Sequence, residues 1–139
     1  MTRLSSVSII PVKSENLSAF WPEVEDWVQD AAEVTGVRTA KQWREKIAER
    51  DAQLWVVTDR VAATGVIITE IYDTAAGLTI GMPIAGGDIK DVASVLLVIE
   101  AWAKERGAVR LEGCGRPGWE KALKPFGWSK LATVVQKVL

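Results

Sequence analysis

Leu78-Thr-Ile-Gly-Met-Pro-Ile84, Ala85-Gly86-Gly87 and the helical repeat over 88–106 together decide how this chain folds. The first seven residues have strand composition, and the glycine pair leads into the helix. Val92, Val95, Leu96, Ile99, Trp102 and Ala103 form one continuous apolar stripe, while Lys90, Asp91, Ser94, Lys104 and Glu105 face mostly away. Gly107 stops the helix, and a short strand over 109–112 follows. Then comes Gly113-Cys-Gly-Arg-Pro-Gly-Trp119, entering a short helix over Pro117–Leu123 with proline in its first turn. A closing strand is expected over 131–138.

Upstream, Val7-Ser-Ile-Ile-Pro-Val12 reads as an opening strand, with Pro11 suited to an edge. A helix can start at Ser14 and Glu15, and Pro22 is expected to restart it. Val24, Trp27, Val28, Ala31 and Ala32 then repeat at the spacing of a buried helical face, which Gly36 ends. Thr39-Ala-Lys-Gln42 has the form of a capping box opening a second helix, with Trp43 and Ile47 inward. Gln53-Leu-Trp-Val-Val-Thr58, a tight reversal at Asp59-Arg60, a long strand over 61–72, a turn at Ala75-Ala-Gly77 and the strand over 78–84 make an antiparallel meander. The expected order is β-α-α-β-β-β-α-β-α-β, an α/β (α+β) domain with a mixed, mostly antiparallel sheet and helices on both faces.

The 139 residues suit a single domain spanning 1–139, and 48% apolar with 25% charged residues is the composition of a soluble globular protein. A net charge of −1 gives no basic face for nucleic acid. No apolar run approaches the ~20 residues that span a bilayer, and the N-terminus lacks the apolar core of a signal peptide, so a cytoplasmic location is expected. With no histidine, neither Ser-His-Asp nor Cys-His activation is available. One cysteine and no histidine argue against a metal site, and a single cysteine rules out an internal disulfide. Seven tryptophans are many for this length; core packing is the first expectation and interface anchoring the second.

Across nearly its whole length this order resembles the GNAT (N-acetyltransferase) superfamily. The closest local match is Gly118-Trp-Glu-Lys-Ala-Leu-Lys-Pro-Phe-Gly-Trp128, a short helix leading to a glycine–aromatic pair. Ala101-Trp-Ala-Lys-Glu-Arg-Gly107, a strand, and Gly-Arg-Pro-Gly-Trp119 further resemble small GNAT-like proteins that tailed bacteriophages encode among their virion genes. That resemblance implies a virion or assembly-associated protein with protein partners, phage structural proteins among them, and leaves a homo-oligomer open.

In GNAT enzymes the loop after the third meander strand carries Arg/Gln-x-x-Gly-x-Gly/Ala, whose amides hold the coenzyme A pyrophosphate at a helix start. Here the matching stretch is Pro83-Ile-Ala-Gly-Gly-Asp-Ile-Lys-Asp91. Ile84, Ala85, Gly86 and Gly87 are the cofactor-binding candidates, and no arginine or glutamine stands at the entry. Asp88 and Asp91 are expected to cap the helix themselves, favoured by ~0.3–1 kcal/mol, and to repel an incoming diphosphate. Lys90 offsets part of this. Amine acylation also needs a base, for which Glu70 and Glu112 are the weak catalytic candidates. The single tyrosine, Tyr72, lies in the meander, away from the helix where the family places its acid. Cys114 is expected to be a small packing residue. Arg116 and Trp119, presented together on a tight loop, are the interaction candidates, with an internal Arg116 pair to Glu112 or Glu120 as the alternative.

Two functions remain in contention. One is a GNAT-like domain with a degenerate coenzyme A site, no cofactor, and a role in protein contact. The other is an acetyl-CoA-dependent N-acetyltransferase with a divergent loop. A small-ligand or toxin–antitoxin-type binding domain has no positive feature in the sequence.

Overall fold

The computed structural model describes residues 7–115 and 117–139. β1 (Ser8–Val12) leads through a 3-10 turn (Ser14–Asn16) to α1 (Leu17–Thr35) and α2 (Ala40–Ala48). β2 (Gln53–Thr58), β3 (Ala63–Thr74) and β4 (Gly77–Gly87) form the meander. Then come α3 (Val92–Glu105), β5 (Arg110–Gly113), α4 (Pro117–Leu123) and a 3-10 turn (Lys124–Phe126). Among the described residues the sheet runs β1-β2-β3-β4-β5, antiparallel except for the parallel pair of β4 and β5.

The strands are apolar on both faces because helices cover both. Leu54, Val56, Val66, Ile68 and Ile84 meet α1 and α2 through Trp21, Val24, Val28, Trp43 and Ile47. Trp55, Val57, Ile67 and Met82 meet α3 and α4 through Val95, Leu96, Ile99 and Leu123. All seven tryptophans join these two cores: Trp21, Trp43 and Trp55 are fully buried, and Trp27, Trp102, Trp119 and Trp128 are half-buried against them. Packing, not surface anchoring, accounts for the tryptophan excess.

Local signals hold where they carry their own hydrogen bonds. Gly36 ends α1 at φ +68° with its amide on the Ala32 carbonyl. The Thr39–Gln42 capping box is reciprocal: the Gln42 amide donates to the Thr39 hydroxyl (3.1 Å), and the Thr39 amide donates to the Gln42 side chain (2.9 Å). At the β2–β3 reversal the Asp59 carboxylate accepts from the Val61 and Ala62 amides.

Four expectations are corrected. Pro22 does not restart α1; the helix runs through it. A proline costs a helix interior about 3 kcal/mol, but Pro22 lies on the exposed face. Leu17, Trp21, Val24 and Val28, buried on the opposite face, each contribute about 1.5–3 kcal/mol and hold both sides in line. β4 does not end at Ile84 but continues through Ala85, Gly86 and Gly87, because Val66, Ile67 and Ile68 of β3 supply the ladder partners for Gly86, Ala85 and Ile84. The helix starts at Val92, not near Asp88, since the Asp88 amide still bonds the Thr64 carbonyl (2.8 Å) and the chain turns through Asp91 at φ +50°. Residues 131–138 form no strand; an isolated β-prone run has no stability without a neighbour to pair with.

Candidate functional site

Of the three sets of residues marked by the sequence, the structure treats Ile84–Gly87 and the pair Glu70 and Glu112 differently. The first is the turn from β4 into α3. Ile84, Ala85, Gly86 and Gly87 lie in the ladder with β3, not in a loop. A Cβ on Gly86 would stand 2.6 Å from the Trp27 carbonyl oxygen, and one on Gly87 would stand 2.5 Å from that of Thr64. The glycine pair therefore lets α1 and β3 approach β4, and the space it leaves is filled by the protein's own backbone. The expected self-capping is also absent: Asp91, at the N-cap, makes no side-chain capping bond. Asp88 instead lies 3.9 Å from Lys90, both about three-quarters exposed. The side chains named around a would-be pyrophosphate are thus two carboxylates and one lysine, and the glycine cradle is taken. The residues present do not fit coenzyme A in the way the loop motif requires.

The second place is the sheet surface below α2, built by strand alternation and a bulge. Ile68 pairs with Ile84 but Glu70 pairs with Gly81, so β4 carries an extra residue around Met82-Pro83. β5 pairs with β4 from Thr79 to Met82 and ends at Gly113, while β4 runs on to Gly87. Glu70, Gly81 and Glu112 fall in one row across three strands. Tyr72 and Arg110 sit two residues away from that row on β3 and β5, and therefore on the same face. Gly81 leaves room for the tyrosine: a Cβ there would meet Tyr72 Cε1 at 2.9 Å.

The Tyr72 hydroxyl donates to Glu112 Oε1. Glu112 Oε2 is 3.2 Å from Arg110 Nε, an ion-pair distance without hydrogen-bond alignment. Glu70 Oε2 pairs with Lys46 Nζ of α2 at 2.6 Å. Burial, then the hydrogen bond to Glu112, pushes the Tyr72 phenol up to about 12. Tyr72 is thus a protonated donor at neutral pH, and both candidate bases already hold a cation or a donor. A cleft of about 900 Å³ opens beside the group, lined by Glu70, Tyr72, Gly81, Glu112, Trp119 and Leu131.

Glu70 and Glu112 are therefore brought to one face, while Ile84–Gly87 lie in the ladder leading away from them. Trp119 lines the cleft but is half-buried, with its ring against the α3 core. Arg116 lies outside the described residues. Cys114 is exposed, which corrects its expected packing role. Sequence reasoning missed Lys46 and Arg110 and did not join Tyr72 to Glu112. The available signal was period-two pairing: Glu70 with Tyr72, and Arg110 with Glu112, each share a face whenever their strands are neighbours. Among the described residues no group of three or more metal-ligating side chains occurs, and no helix is long and apolar enough to cross a membrane.

The arrangement of sheet and helices as a whole is matched by solved structures. The chain has the GNAT fold. A GCN5-related N-acetyltransferase from Ralstonia eutropha JMP134 superposes with a TM-score of 0.68 at 13% identity, over 95% of this chain and 98% of that one. The ribosomal-protein-alanine N-acetyltransferase of Brucella melitensis biovar Abortus 2308 gives 0.62 at 13% identity, over 96% and 97%. A predicted acetyltransferase from Clostridium acetobutylicum, solved with acetyl-CoA, gives 0.64 at 10% identity, over 95% and 96%. No family model matches the sequence, and no curated protein matches it. At such identities the likeness speaks for the GNAT fold alone.

Proposed function

We propose that this chain is a GNAT-fold domain with a degenerate coenzyme A site that acts by protein contact. The observation carrying this reading is the glycine pair. Gly86 and Gly87 are spent on the close approach of the Trp27 and Thr64 carbonyls, with Asp88 and Asp91 next in the chain. A phage virion or assembly setting is the finer form of the proposal, and its support is the sequence resemblance around Gly-Arg-Pro-Gly-Trp119.

One observation favours a second reading, an acetyl-CoA-dependent N-acetyltransferase. Tyr72 and Glu112 place a proton donor and a carboxylate together beside the cleft, on the stretch where β5 pairs with β4. Thermal unfolding with and without acetyl-CoA separates the two. A ligand at 100 times its Kd stabilises a folded protein by about 2.7 kcal/mol, a shift of several degrees. The contact reading expects no shift at millimolar acetyl-CoA; a concentration-dependent rise in Tm would overturn it in favour of the enzyme.

A further inference from the structure

α3 is apolar on more than the face it buries. Val95, Leu96, Ile99 and Ala103 point into the core, yet Leu97 and Val98 are 58% and 46% exposed, and Ala101 is exposed as well. Ser94, Leu97, Val98, Ala101 and Glu105 follow the i, i+3, i+4, i+7, i+11 spacing of a single helical face. From Ser94 to Ala101 that face carries no charge. The solvent side of an amphipathic helix is ordinarily polar, and a helix apolar all round is one that something covers.

The pattern along this face is its own complement. Ser94 and Ala101 lie one turn to either side of the midpoint between Leu97 and Val98, so an antiparallel copy of the helix sets Ser94 opposite Ala101 in both directions. Both side chains are small and let the two backbones come close. Leu97 then meets its own counterpart beside the axis, and so does Val98. The ends match in charge. Asp88, Lys90 and Asp91 before the helix carry two carboxylates and one ammonium, while Lys104, Glu105 and Arg106 at its end carry two cations and one carboxylate. Asp88, Lys90 and Lys104 are each about three-quarters exposed. Antiparallel pairing brings each net-negative end against a net-positive one, twice over.

We propose that the outer face of α3 is the contact surface for a second copy of this chain, the two helices packing antiparallel on a two-fold axis between Leu97 and Val98. The 14 residues of α3 give a strip about 21 Å long. A single helix face is smaller than the roughly 800 Å² per partner of a standard interface, so the dimer forms reversibly with concentration. The proposal goes beyond the contact reading and does not depend on whether acetyl-CoA binds.

Sedimentation equilibrium of the complete chain, from micromolar to millimolar concentration, tests it. The expected result is a mean mass that climbs from one chain towards two. Leu97→Lys and Leu97→Glu each place like charges at the axis, and each is expected to hold the mass at one chain. Mixed in equal amounts they are expected to associate again, because opposite charges then meet. Leu97 is exposed in the single copy, so circular dichroism of both variants is expected to match the parent. Val34→Lys, at a site 83% exposed on α1 across the sheet, is expected to leave association unchanged. A parent that stays at the mass of one chain throughout overturns the proposal and gives the face to a different partner. Single variants that still associate, or a mixture that does not, overturn it too. An acetyl-CoA shift with the Leu97-dependent dimer present would sink the contact reading alone, and a monomer without that shift would sink the α3 pairing alone.

Discussion

Replacing Gly86 with alanine tests whether the glycine pair serves packing or a ligand. Gly86 is buried in β4 and its φ is not in the left-handed region, so the backbone itself accepts alanine. The new Cβ would stand 2.6 Å from the Trp27 carbonyl oxygen, 3.1 Å from its carbon and 3.2 Å from its Cβ. Two of these three neighbours are backbone, so no rotamer change relieves the contact and α1 must draw back from β4. Overpacking of this kind costs about 1–3 kcal/mol, and the lost chain entropy of glycine returns about 0.4–1 kcal/mol. The net loss expected is about 1–2 kcal/mol. For a domain of this size that is a fall in Tm of about 3–8 °C. Gly118→Ala is the control: it lies exposed in α4 with nothing within 4 Å of the added Cβ, and is expected to hold or raise Tm. The assay is differential scanning calorimetry of parent and variants without ligand. An unmoved Tm for Gly86→Ala would refute the packing argument and return the glycine pair to the role of a phosphate cradle.

Two further outcomes follow from hydrogen-bonded side chains. Because Tyr72 is the single tyrosine, phenolate absorbance reports it alone, and it is expected to stay protonated past the ordinary value of 10.0 and ionise near 12. A folded value above the unfolded one stabilises the fold fully below pH 10.0, and that contribution is lost as pH rises towards 12. Glu112→Gln removes the neighbouring charge and is expected to lower the midpoint; a parent already titrating at 10.0 would refute the pairing. On the opposite face, the Trp55 indole donates to the Thr69 hydroxyl (3.0 Å), which donates to Gln53 Oε1 (2.8 Å). Thr69→Val strands that buried indole N–H and is expected to cost about 1–3 kcal/mol in urea unfolding, with Thr69→Ser largely restoring it. A loss under about 0.5 kcal/mol would show that the indole finds another acceptor.

The legible parts of the fold were those whose cause is local. The stripe from Val92 to Ala103, the Thr39–Gln42 box, the Gly36 stop and the Asp59 reversal each carry their signal within a few residues, and each forms as expected. Pro22 misled because its local penalty is outweighed by burial on the other face of α1. What the glycine pair packs against was not legible: the atoms that a Cβ at Gly86 or Gly87 would meet belong to Trp27 and Thr64, distant in the chain. Residues 131–138 have a strand's composition, but a strand exists only as one side of a ladder.

Glu70, Tyr72, Arg110 and Glu112 show the division most plainly. The sequence alone put Glu70 with Tyr72, and Arg110 with Glu112, on shared strand faces, since side chains alternate with period two. Their meeting rests on β4 passing between them with a glycine at position 81 and on β5 lying parallel beside it. Strand order and register are set by which apolar faces the helices cover, a property of the packed whole. Periodicity and capping were therefore written in the sequence, while the company each polar side chain keeps was decided only when the sheet assembled.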